Sequence, residues 1–228
     1  MFNPFQENAV PAEEVTQEKT LSIYNLIMDG GVGGQIIIAL LFVLLATALY
    51  IYFERFFAIR AASQVNKDFM NQIRDHVLAG KIDSAKALCE NTSTPTARLI
   101  GKGISRIGKP LEDINTAIEN AGKLEVYQLE KNVSVLATIA GAAPMIGFLG
   151  TVIGMIVAIH EIANSGGQID IKMLSDGLYT AMTTTVAGLI VGIVAYIAYN
   201  HLVVRTDKVV YQMEAKSVEF LDLLNEPV

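Results

Sequence analysis

With 228 residues, 52% of them hydrophobic and 18% charged, and a mean hydropathy of +0.41, the chain is too apolar for an ordinary water-soluble domain, in which about a quarter of residues are charged. It reads as an integral membrane protein. The net charge of −6 gives no reason to expect nucleic acid as a partner. Cys89 is alone, and His76, His160 and His201 fall in three separate segments, so neither a disulfide framework nor a metal site nor any cofactor is expected.

Residues 1–34 form an acidic N-terminal segment, Lys19 standing against Glu7, Glu13, Glu14, Glu18 and Asp29. A secretory signal has a positive start and then an apolar core, the reverse of this, so the segment is expected to stay on the mature protein. Leu21, Tyr24, Leu26, Ile27 and Met28 suit a short helix lying in the membrane interface. Gly30, Gly31, Gly33 and Gly34 then suit a turn into the bilayer.

The first span is residues 35–53, with the run IIIALLFVLLATALYIYF. Bulky residues on every side predict a helix facing lipid around its circumference, with an anchoring role. Tyr50, Tyr52 and Phe53 form an interfacial belt closed by Glu54, Arg55 and Arg60.

Residues 54–131 turn soluble, with twelve basic and ten acidic residues at helix-like apolar spacing. Asp83 is expected to open one helix, Thr94-Pro95 to start another, and Gly108-Lys109-Pro110 to stop and restart the chain. Beyond Pro110 nothing breaks the helix decisively, so it is expected to run straight into the second span. No phosphate loop, nucleophile elbow or carboxylate pair is present.

The second span, residues 132–160, contains no Asp, Glu, Lys or Arg. As a helix it would run ~40 Å at ~1.5 Å per residue, longer than the ~30 Å hydrocarbon core. Ala140, Pro144, Gly147, Thr151, Gly154 and Ala158 recur at steps of three and four on one narrow face. Met145, Phe148, Leu149, Val152, Ile153 and Ile156 fill the rest. Gly150 to Gly154 is a GxxxG, and such a smooth stripe admits a second backbone closely, whether to pack helix on helix or to face a central space. Pro144 is expected to kink the helix.

Residues 161–176 make a short polar loop turning at Gly166-Gly167. The third span, residues 177–204, is again free of charge beyond that loop; Ala181, Thr185, Gly188, Gly192 and Ala195 form a second small face beside Thr180, Thr184, Ala187 and Val191. Four threonines occupy the six positions 180–185. Their hydroxyls would either form a polar lining or bond their own i−4 carbonyls and bend the helix. Residues 205–228 are an amphipathic helical tail with apolar Val209, Val210, Met213, Val218, Phe220, Leu221 and Leu224.

Basic residues near the span ends orient the chain. Arg55, Arg60, Lys67, Lys123, Lys131, Arg205, Lys208 and Lys216 lie on one side and Lys19 and Lys172 on the other, which predicts a cytoplasmic middle region and C-terminus and an external N-terminus. The expected fold is all-α: three transmembrane helices with long cytoplasmic helical extensions. An enzyme would need a nucleophile with a base, or paired acids, at membrane depth, and neither is there. A passive scaffold or small-solute channel stays open as a reading.

The run LATIAGAAPMIGFLGTVIGMI, residues 136–156, followed by GLYTAMTTTVAGLIVGI, residues 177–193, resembles the signature of the ExbB/TolQ/MotA proton-channel family, in its ExbB-like form. Three spans with an external N-terminus are similar to ExbB and TolQ; the MotA type has four. The resemblance implies a pentamer in the bacterial inner membrane whose second and third helices surround the single-span helices of an ExbD- or TolR-like partner. The partner's membrane Asp takes up and releases protons, and the motion energises a TonB-like or Tol-like system. The same resemblance places Thr151 and Thr185 toward the channel and makes Pro144, Gly147, Gly150 and Gly154 helix-packing positions; Thr151, Thr180, Thr184 and Thr185 together are expected to line the channel. Family members carry a Glu in the third helix in an EAL-x-x-T-A-x-GL setting, where this chain has Thr180. No ionisable residue then remains at mid-membrane depth in the second or third span.

Overall fold

The computed structural model describes residues 31–64, 68–164 and 171–225. The expected interfacial helix and the glycine pair at 166–167 lie outside these residues. Long charge-free stretches oblige the backbone to satisfy its own N–H and C=O groups, and every regular element among the described residues is helical: α1 (Gly31–Ala62), α2 (Phe69–Leu78), α3 (Ile82–Asn91), α4 (Pro95–Ile104), α5 (Leu111–Glu130), α6 (Val133–Asn164) and α7 (Ile171–Asn225). Three stretches, within α1, α6 and α7, are long and apolar enough to cross a membrane.

The 55 residues of α7 extend ~80 Å, so the C-terminal tail is not a separate element but the continuation of the third span. Helices α6 and α7 form the central antiparallel pair, and α1 lies against both. This departs from an anchor surrounded by lipid. Ile37, Leu41, Ala48, Ile51, Ile59 and Ala62 form a buried stripe at steps of three to eight, while Ile36, Phe42, Val43, Tyr50 and Phe53 stay exposed. A helix that is apolar all round carries no sign of which face is covered.

Outside the membrane segments, α2, α4 and α5 pack against the distal part of α7, and α3 packs on α2 and α4. Ile100, Ile104, Ile118, Met213 and Phe220 are at most 2% exposed, and a Cβ added to Gly103 would lie 2.6 Å from Phe220 Cε1. Thr94 caps α4 by accepting from the Ala97 amide at 3.3 Å, with Pro95 next in line. α3 opens at Ile82, one residue before Asp83, without a side-chain cap. Gly80 and Gly108 take φ of 69° and 93° in the turns before α3 and α5, where a Cβ would be strained. Arg98 Nε donates to Glu125 Oε1 at 2.6 Å, joining α4 to a carboxylate that is 7% exposed.

The expected straight passage from α5 into the second span is interrupted. Lys131 turns extended, with ψ 128°, and Asn132 sits at φ 63°. Asn tolerates the left-handed region because its short side chain bonds locally, so two residues suffice to break the helix without glycine or proline.

Candidate functional site between the second and third spans

Small residues let α6 and α7 meet backbone to backbone. A Cβ added to Gly147 would lie 2.8 Å from the Thr184 carbonyl oxygen, and one added to Gly188 2.6 Å from the Ala143 carbonyl oxygen. Along the same seam Gly150 faces Thr184, Gly154 faces Ala181 at 3.3 Å, Ala158 faces Gly177, and Pro144 faces Gly192 at 2.7 Å, each measured from a Cβ built on the glycine. α6 continues through Pro144. The Ala140 carbonyl, deprived of its i+4 amide donor by Pro144, lies 3.1 Å from the same built position on Gly192. The structure thus brings Ala140, Pro144, Gly147, Gly150, Gly154 and Ala158 together with Ala181, Gly188 and Gly192 in one seam within a single chain.

The threonines divide into two kinds. Thr180, Thr183 and Thr184 donate to their own helix, to the carbonyls of Asp176 (2.9 Å), Tyr179 (2.9 Å) and Ala181 (2.9 Å). Thr180 and Thr184 are buried, at 8% and 0% exposure, the first beneath Gly34 of α1 and the second beneath Gly150. Thr151 and Thr185 instead bond across the seam. Thr151 Oγ1 donates to the Ala181 carbonyl at 3.0 Å, Thr185 Oγ1 lies 3.3 Å from the Gly147 carbonyl, and the two hydroxyls are in direct contact. Both are half-buried. A hydroxyl has one proton and two lone pairs, so this pair retains acceptor capacity on its open side. The membrane faces around it present Met145, Phe148, Met155, Met182 and Ile190, each at least 45% exposed.

A polar cluster at the other end of the spans escaped the sequence reading. Arg205 Nε donates to His201 Nε2 at 2.9 Å, so the ring proton belongs on Nδ1, which donates to Tyr52 Oη at 2.9 Å. The Arg205 guanidinium carbon sits 4.8 Å from the Phe56 ring centre, a cation–π arrangement. The i,i+4 spacing of His201 and Arg205 was the available signal; their partners on α1 leave no local trace. Among the described residues no group of three or more His, Cys, Asp or Glu could hold a metal ion.

Residues 91–215 match the family model of the MotA/TolQ/ExbB proton channel family. The chain is 42% identical over 79 residues to a biopolymer transport protein ExbB of Helicobacter pylori, covering 35% of this chain and 54% of that one. It is 36% identical over 104 residues to the ExbB of Aquifex aeolicus, covering 44% and 69% of the two chains. A Tol-Pal system protein TolQ of Pseudomonas aeruginosa is 25% identical over 223 residues, covering 91% and 94%. The chain therefore spans about half the length of the Helicobacter relative, at 54%.

Proposed function

Because this chain belongs to the MotA/TolQ/ExbB proton channel family, we propose that it is the larger subunit of an inner-membrane stator, coupling the proton-motive force to work at the outer membrane rather than catalysing a chemical reaction. In this reading several copies, a pentamer by analogy with the family, enclose single-span ExbD- or TolR-like partner helices. A partner Asp carries the proton, and a TonB-like protein takes up the motion. The N-terminus lies in the periplasm and α2 to α5 in the cytoplasm, following the basic residues at the span ends.

The observation that carries the proposal is the cross-bonded Thr151–Thr185 pair, set among apolar residues and exposed on one side. An intramembrane carboxylate is expensive and sits against a bundle interior or wet cavity; the spare lone pairs of the two hydroxyls can accept from its protonated form, and a hydroxyl that rotates its proton out of the seam can donate to its ionised form. Thr180 and Thr184, buried and bonded to their own helix, stand behind that pair and hold its spacing. With Thr180 where the family pattern has Glu, the proton in this reading travels on the partner. A crossing releases ~2.3 kcal/mol per 100 mV, enough for one conformational step, so repeated stepping of smooth helix faces is required.

TolQ-type envelope maintenance is the second reading, favoured by the TolQ match across 91% of this chain. The deciding experiment is deletion of the gene in its host with separate scoring of energy-dependent outer-membrane uptake and of envelope integrity in detergent. Loss of uptake with an intact envelope supports the ExbB-type role, leakage with normal uptake the TolQ-type role, and loss of neither removes both.

A further inference from the structure

Arg205 ends the charge-free run of α7, and its guanidinium is held from two sides. Its Nε donates to His201 Nε2 at 2.9 Å, and its central carbon stands 4.8 Å from the centre of the Phe56 ring on α1. His201 is held in turn by Tyr52, whose Oη lies 2.9 Å from Nδ1, and its ring centre lies 5.8 and 6.0 Å from those of Tyr52 and Phe56. An arginine that only marked one side of a span would keep a free head in water. This one is exposed, yet residues of two helices restrain it.

The restraint supplies no counter-charge. A guanidinium carries five N–H donors; His201 takes one, and Arg205 is in no ion pair among the described residues. Arg60, one turn beyond Phe56 on α1, and Lys208, three residues beyond Arg205 on α7, are exposed and likewise in no ion pair among the described residues. The nearby carboxylates are engaged elsewhere: Glu54 pairs with Arg55, and Asp207 lines the cleft beside Lys131 and Asn132. Depth narrows the identity of the missing anion. Phe53 and Ile197, one turn nearer the bilayer centre than Phe56 and His201, present exposed apolar surface. A cation fixed beside such surface is placed for a phosphate whose own chains lie along the spans.

We propose that Arg205, positioned by His201 and Phe56, binds the phosphodiester of an anionic phospholipid of the phosphatidylglycerol type. The outward N–H groups of the guanidinium meet two phosphate oxygens at once, the geometry in which arginine recognises phosphate. Arg60 and Lys208 add positive charge around the headgroup, and the acyl chains run along Phe53 and Ile197. A zwitterionic lipid offers the same phosphate but brings its ammonium into a patch that holds three cations and no free carboxylate. The proposal requires only that the chain is embedded in a bilayer and is independent of the channel reading.

The test titrates the purified full chain in detergent with phosphatidylglycerol, phosphatidylcholine and free glycerol 3-phosphate. It follows lipid retention by native mass spectrometry and the rise in Tm over each sample's own lipid-free value. Phosphatidylglycerol should be retained roughly fivefold or more over phosphatidylcholine, the gain that one basic contact gives at an anionic surface, and glycerol 3-phosphate should give no comparable rise. Arg205→Gln should remove most of that preference. His201→Phe keeps all three cations and a ring of similar size, loosens only Arg205, and should at least halve it. Lys131→Gln removes an equal charge away from the patch and should leave the preference intact. Equal retention of the two lipids overturns the proposal, as does equal stabilisation by glycerol 3-phosphate or full preference surviving in Arg205→Gln. Equal losses in Arg205→Gln and Lys131→Gln, or undiminished preference in His201→Phe, overturn it as well, because diffuse attraction to the basic end of the spans would then account for the binding.

Discussion

At the scale of single residues, the direction of a hydroxyl separates threonines that the sequence leaves alike. Thr183 spends its proton on its own helix, whereas Thr151 and Thr185 tie α6 to α7. Thr151→Val and Thr185→Val, which remove a hydroxyl at nearly constant volume, should cost about 1 kcal/mol of stability each and lower proton-coupled transport roughly tenfold or more, as each carboxylate step loses a neutral partner. Thr183→Val is expected to transport at the parent rate. Side-by-side transport assays of the three variants at matched expression check this, and equal rates in all three would remove Thr151 and Thr185 from the lining.

Cys89 illustrates the opposite case, a reactive side chain made inert by its surroundings. Burial, helped by the neighbouring Glu90 carboxylate, pushes its thiol up to about 11. The thiolate is the reacting species, so at pH 8 only about a thousandth is available. Alkylation of the folded protein should be negligible at pH 8 and rise tenfold per pH unit toward 11, provided the fold persists; labelling at the rate of a free thiol at pH 8 would contradict the burial.

At the scale of elements, the close approach of α6 and α7 depends on Gly147 and Gly188 having no side chain. Gly188→Ala would place a methyl 2.6 Å from the Ala143 carbonyl oxygen, and that backbone cannot retreat without parting the pair. A loss of about 1–3 kcal/mol is expected, read as a lowered midpoint in thermal unfolding in detergent, while Gly141→Ala, which meets nothing within 4 Å, should be neutral. The glycine spacing that defines this seam is visible in the sequence, because small residues at steps of three and four can only share one helix face. The break at Asn132 is not, since an Asn with positive φ is spelled no differently from one with negative φ. Nor is the buried stripe of α1, where Ile37 and Leu41 are chemically the same as the exposed Ile36 and Leu40.

At the scale of the whole molecule, a long α7 makes the membrane and the distal helices one mechanical body. Its small face meets α6 in the spans, and its far end carries Met213 and Phe220 into the core formed with α4 and α5. The buried Glu125 carboxylate keeps α4 and α5 together through Arg98. Arg98→Met leaves that carboxylate without its partner and should cost about 1–3 kcal/mol; an unchanged unfolding midpoint would show that the pair contributes nothing. The three spans and the helical character of the remainder were legible from charge-free runs and apolar spacing. The assignment of partners to faces was not, since Gly34 over Thr180 and Tyr52 at His201 join residues more than a hundred positions apart.

In the proposed mechanism this chain supplies a neutral, hydroxyl-lined wall and a separate subunit supplies the acid. The direct measurement is proton flux into liposomes under an imposed pH gradient, comparing this chain alone with its complex with a single-span, Asp-bearing partner. Flux is expected only in the complex, abolished by Asp→Asn in the partner and reduced by Thr151→Val. Proton flux through this chain alone, or undiminished flux after the partner's carboxylate is removed, would contradict it.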